Sequence, residues 1–206
     1  MGDDVASIFS DYVSIKASMQ SVRHRLCRDL SATMKTYVLG AMGDRIMTVQ
    51  KCDDVHTVTL RIKDGGELKK IELPPNRWAS FRQHVAEVND GVKAVADGVD
   101  GINIRLHLGG VYYVSVASGI RCVDFRKFYK PYGATEAKIK PTKHGVALRL
   151  DEWAHLCNLI DTVNARYPAL GSALPCYYED DHMNQTGWID CTECHLFGHD
   201  ASVSSS

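Results

Sequence analysis

Four residues near the C-terminus, Cys176, His182, Cys191 and Cys194, are of the types that bind a soft metal ion. Three thiolates and an imidazole can close a tetrahedral zinc site, and the Cys-x-x-Cys pair supplies two ligands from one turn. One such pair alone is a weak signal; the upstream cysteine and histidine strengthen it, and His195 or His199 could stand in for His182. A metal would also supply folding free energy to a tail with few apolar residues. The plain alternative is an acidic tail with spectator thiols. A thioredoxin-like redox role lacks the βαβ context it needs. Glu179, Asp180, Asp181 and His182 could hold a hard metal for phosphodiester hydrolysis. Four adjacent residues point in different directions, however, and no Walker-type loop, nucleophile elbow or dinucleotide fingerprint accompanies them. The chain reads as a non-enzyme.

A second chemistry lies in residues 121–150, "RCVDFRKFYKPYGATEAKIKPTKHGVALRL", where basic and aromatic residues recur and acids nearly vanish. The whole chain has a net charge of −1. Yet residues 105–150 carry nine Lys/Arg against Asp124 and Glu136, while residues 151–206 carry only Arg166 against nine acids. Such segregation points to an anionic partner for one segment and a different task for the tail. Cations that track phosphates and flat side chains on which bases stack are what single-strand binding requires. A solvated charged face is the plain alternative.

These residues need a scaffold. With 206 residues, 45% hydrophobic and 24% charged, the chain suits one compact unit or two small ones. The opening "MGDDVASIFS" carries acid where a secretory leader would carry base, and Ala6 breaks the myristoylation pattern. No apolar run approaches the roughly 20 residues that span a bilayer. Seven cysteines, three of them in the last 31 residues, suggest reduced thiols plus a local metal site and an intracellular setting. The sequon at Asn184 then reads as accidental.

The middle of the chain repeats. "YVLGAMGDRIMTV" (37–49) lies beside "IRLHLGGVYYVSV" (104–116), and "IELPPNRWASF" (71–81) beside "VALRLDEWAHL" (146–156). Each copy has a tryptophan that opens the same apolar stripe: Trp78, Phe81, Val85, Val88, Val92 and Trp153, Leu156, Ile160, Val163, Tyr167. That spacing marks one face of an amphipathic helix. The offset between copies grows from 67 to 75, so the second copy carries about eight extra residues, placed most simply around "KPYGATEA". "RIMTVQ", "HTVTLRIK", "YYVSV" and "CVDFRKFY" read as strands, Gly65-Gly66 and Gly133 as turns, and Pro75 and Asp151 as helix starts. An N-terminal segment, about 4–35, places Ile8, Tyr12, Ile15, Met19, Val22 and Leu26 at helical spacing. Its mixed charges favour a packing or oligomerisation helix over a membrane-surface one.

"YYVSV", "VDFRKFY" and "IKPTKHGVALRLDEWAHLCNLIDTV" together resemble the single-stranded-DNA-binding domain of the transcriptional coactivator family Positive Cofactor Four. The second copy, about 103–167, matches throughout. The first, about 36–95, matches in hydrophobic pattern and around Trp78, with "DGGELKKIEL" in place of the Lys-Pro segment. The resemblance implies an α+β fold: two tandem units, each a curved antiparallel sheet of about four strands followed by a helix, paired as an intramolecular pseudo-dimer. An N-terminal helix and a zinc-knuckle-like tail complete it. The expected organisation is 1–35 N-terminal helical segment, 36–97 first and degenerate unit, 102–168 second unit with the basic surface, and 171–206 acidic Cys/His tail. Residue by residue, the resemblance implies that Arg126 is the strand arginine, Tyr129 the stacking aromatic and Lys140 the lysine before proline. Lys143 and His144 fall on the basic pair before Gly145. Arg121 lies in a hairpin two residues shorter than the family's. Lys127, Phe128, Lys130 and Lys138 are candidates by proximity. Strict alternation puts Arg126 and Tyr129 on opposite faces, so a bulge or strong curvature must intervene if both touch a strand.

The expectation is a nuclear protein that binds single-stranded DNA or melted duplex without sequence preference, in transcription or replication. Stacking tolerates either sugar, so RNA stays open beside DNA. Transcription or replication proteins are further expected partners, with no membrane role, in a monomeric pseudo-dimer or a higher homo-oligomer. The rival reading is a coactivator-like module that binds acidic proteins. In either case the acidic tail could mimic a strand and compete for the basic patch.

Overall fold

The computed structural model describes residues 34–131, 139–179, 182, 191, 193 and 194. It is an α+β protein with two four-stranded antiparallel sheets. The first contains β1 (Met34–Leu39), β2 (Arg45–Cys52), β3 (Val55–Ile62) and β4 (Lys70–Leu73), followed by helix α1 (Pro75–Ala96). The second contains β5 (Asn103–Gly109), β6 (Tyr112–Ala117), β7 (Ile120–Tyr129) and β8 (Lys140–Arg149), followed by helix α2 (Leu150–Arg166) and the short α3 (Pro168–Gly171). In both sheets the strands lie in chain order, as successive hairpins. The four runs rich in β-branched and aromatic residues fall in β2, β3, β6 and β7. The expected N-terminal helix lies outside the described residues, except that its last two residues, Met34 and Lys35, already belong to β1.

Local chemistry explains the turns. β2 passes to β3 through Asp53-Asp54, both with positive φ (48° and 66°), the conformation that lets a two-residue turn follow the twist of its strands. Pro75 starts α1 where a missing N–H costs nothing. The first turn of α2 carries Asp151 and Glu152, and the Glu152 carboxylate accepts a bond from the Arg149 backbone N–H (2.7 Å) and pairs with the Arg149 guanidinium. The buried Glu152 is thus paired rather than stranded, and Arg149 also bonds Asp44 in the β1–β2 connection (2.6 Å).

A single core lies between the sheets and the helices. Trp78 is 0% exposed and Trp153 2%, and Phe81, Phe125, Leu148, Leu156, Val88 and Val163 pack with them. Val85, Val92, Ile160 and Tyr167 flank this core. Each stripe residue fully buried contributes roughly 1.5–3 kcal/mol. The two tryptophans exchange partners across the repeat: Trp78 Nε1 donates to Asn164 Oδ1 on α2 (2.9 Å), and Trp153 Nε1 donates to Asn89 Oδ1 on α1 (2.8 Å). Each asparagine sits at the same spacing beyond the tryptophan of its own helix. Gly91 lets α1 lie close on the second sheet, since a Cβ there would meet Ile104 Cδ1 at 2.6 Å.

Thiol chemistry differs in one place from the all-reduced expectation. Cys52 is disulfide-bonded, whereas Cys122, Cys157, Cys176, Cys191 and Cys194 are free.

Candidate functional site

The second sheet has one face turned to the helices and one turned away. Val114, Val116, Val123, Phe125, Val146 and Leu148 alternate onto the helix side and are buried. The intervening Tyr113, Ser115, Asp124, Arg126 and Ala147 therefore lie on the outer face. Phe128 joins them, because its ring stands 5.0 Å from that of Tyr113. The Arg105 guanidinium covers both rings, 5.3 Å from Phe128 and 5.9 Å from Tyr113. His107 adds a third ring 5.0 Å from Tyr113. Its Nε2 lies 2.7 Å from the Gly110 carbonyl oxygen, and burial holds its pKa below the ordinary 6.5. Arg105, His107 and Tyr113 were not among the expected binding residues. Their signal in the sequence is period-two spacing on adjacent strands, which is readable only once strand register is known.

Arg126 is already engaged. Its Nε and Nη2 donate to the Asp124 carboxylate (2.6 and 2.9 Å) and its Nη1 to the Thr142 carbonyl (2.8 Å). The hydrogen bond to Asp124 holds its pKa above the ordinary value. The side chain lies over Gly145, where an added Cβ would meet the Phe125 carbonyl oxygen at 2.7 Å and Arg126 carbons at 3.2 Å. Gly145 is thus required for space, since its φ is not positive. Beside it the ladder slips: Arg126 pairs with Gly145 and Phe128 with Pro141, so β8 carries two more residues than β7 over this stretch. Thr142 staples the irregularity, donating from Oγ1 to the Lys127 carbonyl (2.8 Å) and accepting from the His144 N–H (3.1 Å). This bulge sits in β8, so β7 keeps its alternation. Tyr129 points to the face opposite Arg126, and the expected irregularity does not bring the two together.

Tyr129 nevertheless ends the strand 46% exposed, directly across from Lys140. Lys127, Lys143 and His144 belong to the same end of the β7–β8 pair, with Lys140 and Lys143 exposed. Arg121 is exposed at the opposite end of β7, about 26 Å away at a rise of roughly 3.3 Å per residue. Lys138 lies outside the described residues. Phe125 and Val123 are 0% exposed, in the core.

The second centre is the thiol cluster. The ligand atoms of Cys176, His182, Cys191 and Cys194 all lie within 4.8 Å of one another. Cys176 Sγ is 3.7 Å from Cys191 Sγ and 3.6 Å from His182 Nδ1. A tetrahedron with Zn–S of about 2.3 Å and Zn–N of about 2.0–2.1 Å has edges of about 3.8 and 3.6 Å, so these spacings suit that ion. His182 Nδ1 also stands 2.6 Å from the Cys176 carbonyl oxygen, a hydrogen bond that needs Nδ1 protonated and that the ring gives up if this nitrogen binds a metal. Burial pushes up the pKa of Cys176, and lifts that of Cys194 to about 11. Burial acts against the Cys191 thiolate as well. Hydrogen bonds from the Cys194 and Glu193 backbone N–H groups and the neighbouring thiols outweigh it and bring Cys191 below its ordinary value. Backbone donors aimed at the first sulfur are the electrostatic support a Cys-x-x-Cys turn gives a thiolate. The four side chains form a cluster that could hold a metal ion, and the donor set is compatible with zinc.

The turn between those cysteines is anchored to the rest of the protein. Glu193 pairs with Arg77 in the first turn of α1, through Nη2 and through Nε (3.0 Å), and its carbonyl accepts from the Gly110 N–H (2.7 Å). Upstream, Arg82 donates to the carbonyls of Gly171 (2.9 Å) and Ala173 (2.8 Å), and Tyr177 bonds Gln83. The described tail residues therefore contact α1 and the β5–β6 hairpin. No family model, curated protein or solved structure matches this chain.

Proposed function

We propose that the protein binds single-stranded DNA without sequence preference, using the end of the second sheet where β7 meets β8. The observation that carries this reading is Tyr129, an exposed aromatic facing Lys140 across the ladder with Lys127, Lys143 and His144 around it. A base stacking on that ring contributes about 1–3 kcal/mol, and the lysines neutralise the flanking phosphates. The resemblance of residues 103–167 to the Positive Cofactor Four domain supports the same reading. On this reading the protein acts in the nucleus, holding melted or unpaired strands in transcription or replication. Arg126, spent on Asp124 and Thr142, acts by shaping the bulge that presents Lys143 and His144. The strand crosses the end of the sheet, leaving the Arg105–Tyr113–Phe128 group on the outer face as a secondary platform.

The two units act as an intramolecular pseudo-dimer, supported by the paired Trp–Asn exchange between helices. The Cys3His cluster holds one structural zinc ion, supported by its donor set and spacing. The zinc would tie residues 176–194 into a closed turn and take no part in strand binding.

The decisive experiment is fluorescence anisotropy of a labelled single-stranded oligonucleotide against the matched duplex and the matched RNA over a salt series. Single-strand preference, a steep salt slope and losses in Tyr129→Ala and in Lys140→Ala/Lys143→Ala are the expected results. Weak binding indifferent to strandedness and to these substitutions would overturn the proposal. Tight binding of an acidic peptide in its place would redirect it to protein recognition.

A further inference from the structure

We infer that Arg77 and Tyr112 form a further subsite for a nucleic-acid phosphate, and that Glu193 of the tail occupies it as an internal stand-in for that phosphate. The inference rests on the proposed single-strand binding and extends it to a second element of the surface.

The first turn of α1 is electrostatically unusual. Helix N-termini favour acidic side chains, and α2 conforms with Asp151 and Glu152, but α1 has no acid there and places Arg77 in its first turn. Pro74 and Pro75 have no N–H and the Arg77 N–H bonds Asn76 Oδ1 (2.9 Å), so the anion-binding group at this end of α1 is the Arg77 guanidinium. Arg77 is held ready for an anion: its guanidinium lies 4.3 Å from the Tyr112 ring centroid, and its side chain is 15% exposed. A planar guanidinium that offers Nε and Nη2 together is the arrangement that grips carboxylate and phosphate alike. Glu193 fills both positions with its two oxygens.

The location joins this pair to the proposed strand path. Tyr112 pairs across the ladder with Lys127, and the Phe128 N–H bonds the Val111 carbonyl (2.8 Å), so the β5–β6 hairpin and the Tyr129–Lys140 end belong to one edge of the sheet. Two glycines make room there. A Cβ on Gly109 would lie 2.7 Å from Glu193 Oε2, and one on Gly110 would lie 3.1 Å from Arg77 Nη2; both residues have positive φ, 119° and 56°. The hairpin is thus shaped to admit an anionic group against Arg77. Glu193 is 29% exposed, within reach of an incoming phosphate that would displace it.

The test is a double-mutant cycle on the full, zinc-loaded chain, read by anisotropy with a labelled single-stranded oligonucleotide. Glu193→Gln keeps the shape and removes the charge. It should tighten binding roughly three- to tenfold and steepen the salt slope by about 0.7, the increment for one added phosphate on a single strand. Arg77→Gln in the Glu193→Gln background should abolish that gain. Bound zinc, measured for every variant, should stay at the wild-type ratio, which separates lost docking from a collapsed turn. If the zinc ratio falls in Glu193→Gln, Glu193→Ser repeats the cycle. Unchanged affinity in Glu193→Gln overturns the inference, and so does a gain that survives loss of Arg77, which would reflect general repulsion by the tail. Absence of strand binding in every variant removes the single-strand reading itself and this subsite with it.

Discussion

The two sheets share a strand order and a tryptophan-led helix, yet their outer faces have little in common. The outer side of the first sheet carries Thr36, Val38, Thr57, Thr59 and Arg61 around the buried Ile46 and Thr48, with Lys51 paired to Asp54 at its turn and Lys70 held by Glu67 and Glu72. The second offers Arg105, His107, Tyr113, Arg126 and Phe128, with Tyr129 and Lys140 at its end. Positions facing the helices are tied to partners on both units, so they keep their character. Positions facing away have no such partner, and there the copies diverge. The comparison separates what the fold requires from what one sheet alone is fitted to do.

The shared part is tested first, since its effect is largest. Trp78→Ala and Trp153→Ala should each cost about 3–5 kcal/mol in denaturant unfolding, the range for emptying a buried aromatic site. Losses alike to within about 1 kcal/mol are expected from the matched environments. A lopsided result would mean that one helix carries the core.

The divergent part comes next. Tyr129→Ala should weaken single-strand binding by roughly tenfold, and Lys140→Ala/Lys143→Ala should lower the salt slope by about 1.4. The counterpart Lys51→Ala/Lys63→Ala in the first unit should leave both unchanged. Equal losses in the two sheets would erase the contrast in binding.

The tail sharpens the comparison again, because it contacts α1 of the first unit and the β5–β6 hairpin of the second. Cys191→Ser, or zinc removal by a chelator, should abolish metal binding and lower the melting temperature by a few degrees, with the far-ultraviolet signal of both sheets retained. Loss of all sheet signal would show the metal to be a condition of the whole fold.

The smallest effect concerns His107. Burial lowers its folded pKa below its unfolded value of 6.5, so the unfolded chain binds the proton more readily. The stability this neutral ring contributes is fully present above pH 6.5 and is lost as the pH falls below it. His107→Gln should flatten that part of the stability–pH curve, measured by denaturant midpoints between pH 5 and pH 8.

Several features were legible in the residues before any coordinates. The Trp-led stripes predict two helices, and the runs around Met47, Thr57, Val114 and Phe125 predict strands, because burying one face imposes periods of 3.6 and 2. Cys176, His182, Cys191 and Cys194 stood out by type and spacing. Other features were not legible. The Asp124–Arg126 pair is only two residues apart, but that the guanidinium also caps Thr142 over Gly145 depends on a bulge in a different strand. Arg126 and Tyr129 stay on opposite faces because the extra residues fell in β8 and left the alternation of β7 intact.

The sequence by itself determined the repeat, the α+β class, the core stripes, the segregated charge and the Cys/His set that could hold a metal ion. Each of these is a matter of residue type and short spacing, which local geometry converts directly into structure. Only the tertiary structure decided that Trp78 meets Asn164, that Trp153 meets Asn89, and that Glu193 crosses to Arg77 beside Tyr112. Those partners lie far apart along the chain, and what brings them together is the burial of both stripes in one core. Polar groups at the edge of that core must then find hydrogen-bond partners where the packing has placed them.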